Sequence, residues 1–114
     1  MESDAVPSVE MPIVRLDRFI IPRNAYAEFL GRLKDIHALL HVQPGLKHDI
    51  LFERPVTADS VHLISMVEWE NQAASAAAKT VVESYCIANN FDRDETIDRL
   101  KIIADIGIYS VSQG

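Results

Sequence analysis

The segment from Val61 to Ala78 limits how this chain can fold more than any other part of it. It begins with the apolar run VHLISMVEW, which ends in the only tryptophan, Trp69, and it continues as ENQAASAAA. The first run is typical of a strand and the second of a helix. A large ring at a strand end that faces small helix side chains leaves space beside it. The segment therefore predicts a ligand pocket next to Trp69.

Alternating and helical apolar patterns divide the rest of the chain into elements. We predict strands over residues 13–21, 46–54, 61–69 and 102–112, helices over 23–41 and 71–89, and a short helix from about residue 92. Pro22 ends the first strand and starts the first helix, for which Asn24 is a candidate cap. Residues 55–60 form a polar turn. In the second strand, alternation places Leu46 on the same face as His48.

This order of elements is typical of a ferredoxin-like α+β sandwich, in which both long helices cover one face of a four-stranded antiparallel sheet. The third strand is apolar on both faces, with Leu63 and Val67 on one side and Ile64 and Met66 on the other. A monomer with such a sheet would expose a large apolar patch. We therefore expect two copies to pack sheet to sheet as a symmetric homodimer.

Composition excludes several classes of partner. The chain has 114 residues, enough for one domain, and a net charge of −6 without clustered Lys or Arg, which argues against nucleic acids and anionic membranes. No apolar run approaches the ~20 residues of a membrane span. The lone Cys86 allows no intrachain disulfide and indicates a reducing compartment, so we expect a cytoplasmic protein. Residues 1–12 are expected to form a flexible acidic tail rather than a signal peptide, and residues 13–114 a single domain.

Three motifs resemble the antibiotic biosynthesis monooxygenase (ABM) domain: QPG at residues 43–45, VEWE at 67–70 and ADIGIY at 104–109. The resemblance covers residues 13–112. It implies a dimeric α+β barrel built from ferredoxin-like subunits. Members of that family include cofactor-free monooxygenases acting on polyketide anthrones and quinols, haem-degrading enzymes, and isomerases acting on small signalling molecules.

The resemblance is strongest at Trp69, which matches the pocket tryptophan of the family. The polyketide-type enzymes carry an asparagine four residues earlier, where this chain has Ser65. The haem degraders carry an asparagine on the first strand, where this chain has Asp17, and a haem-ligating histidine late in the second helix, where this chain has none. The resemblance therefore favours a cofactor-independent enzyme with no metal.

His37 is the candidate catalytic base. It lies in the apolar stripe of the first helix and should face the sheet, where a half-buried imidazole can move protons. Asp17 is the candidate residue that orients it. The alternative is a core histidine bonded to a backbone carbonyl, with Asp17 paired to Arg15 or Arg18 instead.

The candidate substrate-binding residues are Trp69, Tyr85 and Ser65. Trp69 either stacks on a planar substrate or serves only as a core anchor. Tyr85, placed on the buried face of the second helix together with Ala78 and Val81, either donates a hydrogen bond to a substrate oxygen or belongs to the core. Cys86 has no basic neighbour in the sequence and is expected to be inert.

The other histidines are weaker candidates. His37 and His41 are four residues apart on one helix flank, with His48 nearby, a spacing that can hold zinc. No cysteine or carboxylate stands in register with them, so we expect no metal site. His62 points away from Trp69 and is expected in the dimer interface.

Together these features favour the cofactor-independent oxygenation of a small, electron-rich aromatic molecule such as a quinol or an anthrone. Once deprotonated by His37, such a substrate can pass an electron to oxygen itself, while Tyr85 steadies the developing oxyanion. Two alternatives remain open. One is an isomerase or lyase acting on a small oxygenated metabolite, and the other is a non-catalytic, dimeric small-molecule-binding module.

Overall fold

The structure is a computed structural model that describes residues 11–111, which form a four-stranded antiparallel sheet and three helices. The strands β1 to β4 are Ile13–Pro22, Leu46–Thr57, Ser60–Trp69 and Ile103–Ser110, and the helices α1 to α3 are Arg23–His41, Gln72–Ala88 and Arg93–Arg99. The sheet order is β2-β3-β1-β4, with every pair antiparallel. This is the ferredoxin-like α+β arrangement that the order of elements predicts. The predicted acidic tail lies outside the described residues except for Met11 and Pro12.

Two local predictions are wrong. Asn24 does not cap α1, because Pro22 occupies the N-cap position without a side-chain hydrogen bond and Asn24 lies inside the first turn. The turn predicted over residues 55–60 is much shorter, because β2 continues to Thr57 and β3 begins at Ser60. An irregularity between Pro55 and Thr57 keeps the two strands paired up to the turn.

A β-bulge near the start of β2 corrects the predicted face of Leu46. Leu46 pairs with Trp69 while His48 pairs with Glu68, so Lys47 is an extra residue on β2. The extra residue reverses the alternation at this point. Leu46 consequently shares the helix-facing side of the sheet with Asp49 and packs against the cluster around Trp69, whereas His48 faces the other side.

The sheet has one covered face and one open face. Along β3 the odd-numbered residues from Val61 to Trp69 are buried beneath the helices, whereas the even-numbered residues are only half-buried. On the open face, Phe52 is 49% exposed and Ile103 is 69% exposed. The prediction that the third strand is apolar on both sides is therefore confirmed, and one of those sides lacks cover within residues 11–111.

The core beneath the helices divides into two apolar clusters. The larger one contains Phe19 and Phe29, whose rings meet edge to face with centroids 5.0 Å apart, and also Leu63. The smaller one contains Leu40, Val67, Trp69 and Ala78. Asp17 and Ser65 are cross-strand partners, and along β1 and β3 they lie between the two clusters. A polar layer therefore crosses the core at this position.

None of the helices formed by residues 11–111 is long and apolar enough to cross a membrane.

Gly45 joins α1 to β2, and its backbone conformation and close surroundings leave no room for a side chain. Its φ is +84°, and a Cβ there would stand 2.5 Å from Cβ of Ala74. We expect Gly45→Ala to lower the free energy of unfolding by about 1–3 kcal/mol, because it adds backbone strain and a clash. Urea denaturation followed by Trp69 fluorescence measures the change.

Gly31→Ala is the matched control. Gly31 lies within α1, and a Cβ there would have no heavy atom within 4 Å. Replacing a helical glycine by alanine should raise stability by about 0.5–1 kcal/mol. Equal effects of the two substitutions would contradict the role given to Gly45.

Candidate functional site

His37 is the centre of the polar layer. The apolar stripe of α1 turns it toward the sheet between Leu33 and Leu40, and all three residues are buried. Nε2 of His37 lies 2.8 Å from Oγ of Ser65, and the two groups share a hydrogen bond. The predicted orientation of His37 is therefore confirmed. Its hydrogen-bond partner is a side chain on β3 rather than a backbone carbonyl.

Asp17 lies beside this pair on β1, directly opposite Ser65. Its carboxylate accepts hydrogen bonds from Nε of Arg15 at 3.1 and 3.2 Å, whereas Arg18 points to the open face and pairs with Asp105. Asp17 is thus buried next to the imidazole but paired with Arg15. It influences His37 through its charge.

Asp49 is a member of the site that the sequence does not reveal, and the expectation that no carboxylate stands in register with His37 and His41 is wrong. Asp49 pairs with Val67 and so faces the helices from β2. Oδ1 of Asp49 lies 3.1 Å from Nδ1 of His41, and Oδ2 lies 3.9 Å from Nδ1 of His37. The signal was present in the sequence as the i, i+4 histidine pair, whose flank must face some strand. Which strand it faces depends on tertiary packing.

Burial favours the neutral form of the His37 imidazole. Burial lowers the pKa of His37, and the charges of Asp49 and Asp17 oppose that shift only in part. Burial also raises the pKa of Asp17, against the opposing effect of Arg15. A neutral imidazole at neutral pH is free to accept a proton, which is the state that a general base requires.

Ser65, His37 and Asp49 stand in the order of nucleophile, base and carboxylate found in serine hydrolases. Acyl transfer also needs backbone N–H groups aimed at the developing oxyanion. Ser65 lies in β3, which is hydrogen-bonded to β1 on one side and β2 on the other, so the strand's amides are engaged in the sheet. The arrangement therefore fits proton transfer rather than acyl transfer.

Trp69 lies on the helix-covered face of the sheet and is enclosed by side chains, so the ligand pocket predicted beside it is not open within residues 11–111. Trp69 is 3% exposed and belongs to the cluster with Leu40 and Ala78. Two cavities among residues 11–111 lie elsewhere. One, of about 470 Å³, lies at the start of α1, and the other, of about 280 Å³, lies on the open sheet face beside Phe52. Within the single chain the indole anchors the core.

The residues buried on α2 differ in part from those that the sequence predicts. Ala78 is the buried residue of α2, Tyr85 is half-buried, and Val81 is exposed, so the predicted place of Val81 on the buried face is wrong. Val81 lies at the edge of the arc centred on Ala78 and Val82, where the helix turns away from the sheet. Burial raises the pKa of the Cys86 thiol, in line with an unreactive cysteine.

The remaining histidines stand apart from the site. Cross-strand pairing places His48 and His62 on the open sheet face, opposite to His37. Across residues 11–111 there is no group of side chains suited to holding a metal ion.

Arg93 is a second neighbour of the site that sequence reasoning missed. It begins α3, and its positive charge acts on both Asp17 and Cys86. Its Nε is buried without a hydrogen-bond partner among residues 11–111, and it lies 3.7 Å from Oδ1 of Asp94. No sequence spacing links residue 93 to residue 17. Only the packing of α3 brings them near each other.

The fold has solved relatives. The chain is similar to SnoaB, a cofactor-independent oxygenase from Streptomyces nogalater, with 19% identity over 91% of this chain and 96% of SnoaB and a TM-score of 0.62. It is similar to Rv0793 from Mycobacterium tuberculosis, with 12% identity over 90% of this chain and 97% of that one and a TM-score of 0.60.

A third similar structure, from Deinococcus radiodurans, is that of a protein proposed to be an antibiotic biosynthesis monooxygenase, with 12% identity over 90% of this chain and 92% of that one and a TM-score of 0.57. No protein-family model and no curated protein sequence matches the chain. At these identities the likeness establishes the fold alone. The chain has the ABM-type ferredoxin-like fold that the resemblance predicts.

The lowered pKa of His37 predicts a specific dependence of stability on pH. The folded chain binds a proton at His37 less readily than the unfolded chain, whose histidine has the ordinary pKa of 6.5. As the pH falls below 6.5, the unfolded state takes up more protons and the folded state loses stability. We expect His37→Gln to lose less stability than the wild type over this range.

Urea denaturation at a series of pH values measures this difference. His48→Gln is the control, because His48 is an exposed histidine on the other sheet face. Parallel stability curves for the wild type and His37→Gln would rule out a destabilising protonation of His37.

Proposed function

We propose that this protein is a cofactor-independent monooxygenase acting on a small, electron-rich aromatic substrate of the quinol or anthrone class. The observation that carries the proposal is the buried His37, which is hydrogen-bonded to Ser65, flanked by the carboxylates of Asp17 and Asp49, and has its pKa lowered by burial. A neutral base in a water-poor layer suits the first step of such a reaction. That SnoaB shares the fold and is a cofactor-independent oxygenase supports the same proposal.

The reaction begins with proton abstraction. His37, acting directly or through the Ser65 hydroxyl, removes a proton from the substrate CH₂ or OH group. For an anthrone the resulting carbanion passes an electron to O₂, and carbon–oxygen bond formation gives a peroxide anion. The peroxide anion then takes up one proton from solvent, loses water and leaves a carbonyl, while His37 releases the proton that it removed from the substrate. One O₂ is consumed, and no cofactor enters the balance.

The remaining candidates take supporting roles in this proposal. Trp69 provides an aromatic surface, and Tyr85 provides a hydroxyl for an anionic substrate oxygen. Asp17 remains the residue that influences the charge state of His37. Arg15 and Arg93 place positive charge next to Asp17, which favours a substrate that becomes anionic during the reaction.

One observation favours a second candidate, a non-catalytic binding module. Trp69 is packed within the core, and neither of the two cavities described among residues 11–111 is lined by it. A binding module requires no base. It therefore predicts ligand binding that survives the loss of His37, whereas the monooxygenase requires that residue.

We further propose that two copies associate through their open sheet faces. Apolar side chains of β2, β3 and β4 line that face, and Phe52 and Ile103 are largely exposed on it. A patch of this kind is unfavourable in water and is self-complementary across a two-fold axis. Pairing would bury it and close the cavity beside Phe52 and Ile64.

The proposed dimer predicts a solution mass of twice 12.8 kDa, measurable by sedimentation equilibrium. Phe52→Glu should weaken association by about tenfold or more, because it places a charge in a desolvated interface. Val42→Glu is the control, because Val42 is 73% exposed at the end of α1, away from the sheet face. A monomeric wild type would overturn the proposed dimer.

The proposed activity predicts oxygen consumption with a panel of hydroquinones and anthrones, followed with an oxygen electrode. We expect His37→Gln to lower kcat by about 10²- to 10⁴-fold, the range typical of losing a general base. Trp69→Phe should raise KM because it removes part of the stacking surface. His48→Gln should leave the rate unchanged.

The same assay separates the alternatives. Substrate turnover that persists without oxygen would indicate an isomerase or lyase. Binding without turnover, equal in the wild type and His37→Gln, would indicate the binding module. Rates no higher than buffer across the panel would contradict the monooxygenase.

A further inference from the structure

A chain of three ionisable side chains connects the buried base to solvent. Nδ1 of His37 faces Oδ2 of Asp49 at 3.9 Å, and Oδ1 of the same carboxylate lies 3.1 Å from Nδ1 of His41. His37 is buried and the Asp49 side chain is nearly so, whereas the His41 side chain is 72% exposed. The two oxygens of one carboxylate thus face two histidines, one inside and one outside.

The two ring nitrogens of His37 face different groups, so one can take up the substrate proton while the other releases a proton. Nε2 is bonded to Ser65 on β3, and Nδ1 faces Asp49 on β2. The other charged group acting on His37 is Asp17 on β1, which is itself neutralised by Arg15. Asp49 is therefore the carboxylate positioned to exchange a proton with Nδ1.

His41 is suited to the outer end of this chain. It lies in the last turn of α1, where the helix dipole favours a positive charge. Its side chain is 72% exposed, so water has direct access to the ring and can take a proton from it. The i, i+4 spacing of His37 and His41 places both on the helix flank that faces β2.

We propose that Asp49 and His41 form the exit path through which the proton taken up by His37 reaches solvent. The inference rests on the proposed role of His37 as the base. It adds two residues to that site, and it assigns to the histidine pair a function in proton transfer rather than in metal binding.

The proton balance of the path is simple. A substrate proton binds Nε2 of His37, and the proton on Nδ1 leaves for Oδ2 of Asp49. The carboxyl group of Asp49 then turns over about its Cβ–Cγ bond and gives the proton on Oδ2 to Nδ1 of His41, and the exposed ring loses its Nε2 proton to water. One proton enters, one leaves, and Asp49 returns to its carboxylate. The 3.9 Å step requires a small rotation of the Asp49 side chain to bring the two atoms within hydrogen-bonding distance.

The first experiment needs no substrate. In protein labelled with ¹⁵N-histidine, NMR measures how fast the ring proton of His37 exchanges with water. We expect Asp49→Asn and His41→Gln each to slow this exchange by about tenfold or more, because an amide carries no proton between the rings and glutamine does not titrate. Added imidazole should restore the exchange in His41→Gln and not in Asp49→Asn.

His48→Gln is the matched control for the surface change. His48 is an exposed histidine that lies 3.9 Å from a carboxylate oxygen of Glu68, on the opposite sheet face. The His48→Gln substitution should leave the exchange rate of the His37 ring proton unaltered. Because His41 is on the surface, His41→Gln keeps the test decisive even if Asp49→Asn does not fold.

The second experiment measures steady-state turnover of a substrate. With an active substrate, His41→Gln should lower kcat more than kcat/KM, move the pH profile, and recover with imidazole buffer. Wild-type exchange in both Asp49→Asn and His41→Gln would overturn the exit path whatever the activity. Slowed exchange in a protein that consumes no oxygen with any substrate would support the path and contradict the monooxygenase instead.

Discussion

The hydrogen bond between His37 and Ser65 is the interaction on which the organisation of this protein depends. It joins α1 to the central strand β3 at the position where the apolar core is interrupted, between the cluster around Phe19 and the cluster around Trp69. Buried polar groups are tolerated only where they find partners. The imidazole and the hydroxyl satisfy each other here, and the carboxylates of Asp17 and Asp49 lie close by.

Burying ionisable side chains in such a polar layer costs folding free energy, and a fold that retains them despite this cost points to a function for them. Burial disfavours the charged form of both His37 and Asp17, so an apolar replacement of similar shape would be easier to fold. Perturbed ionisable groups gathered in one buried layer are typical of functional sites. The core around Trp69 shows the opposite character, because it is closely packed and purely apolar. The proposed site and the apolar cluster thus occupy adjacent parts of the same sheet surface.

Sequence reasoning reached the elements of the fold because each is encoded locally. The stripe of α1 gave its bounds and the orientation of His37, and Asn71, a residue type suited to capping, begins α2 by accepting a hydrogen bond from the backbone of Ala74. Sequence reasoning failed where one extra residue changes which face of the sheet a side chain occupies. The extra residue Lys47 in β2 reverses the alternation, so Leu46 joins the core. Nothing in the composition around Lys47 marks a bulge.

The sequence by itself determined the order of strands and helices, the two apolar faces of β3 and the presence of a histidine beneath α1, because periodicity and local propensity act over a few residues. Only the tertiary structure decided which groups meet that histidine. Ser65, Asp49 and Asp17 lie 28, 12 and 20 positions away from His37 in the chain, and they approach it through strand register and the β2 bulge. Contacts between such distant positions depend on the whole fold, so local patterns carry no record of them.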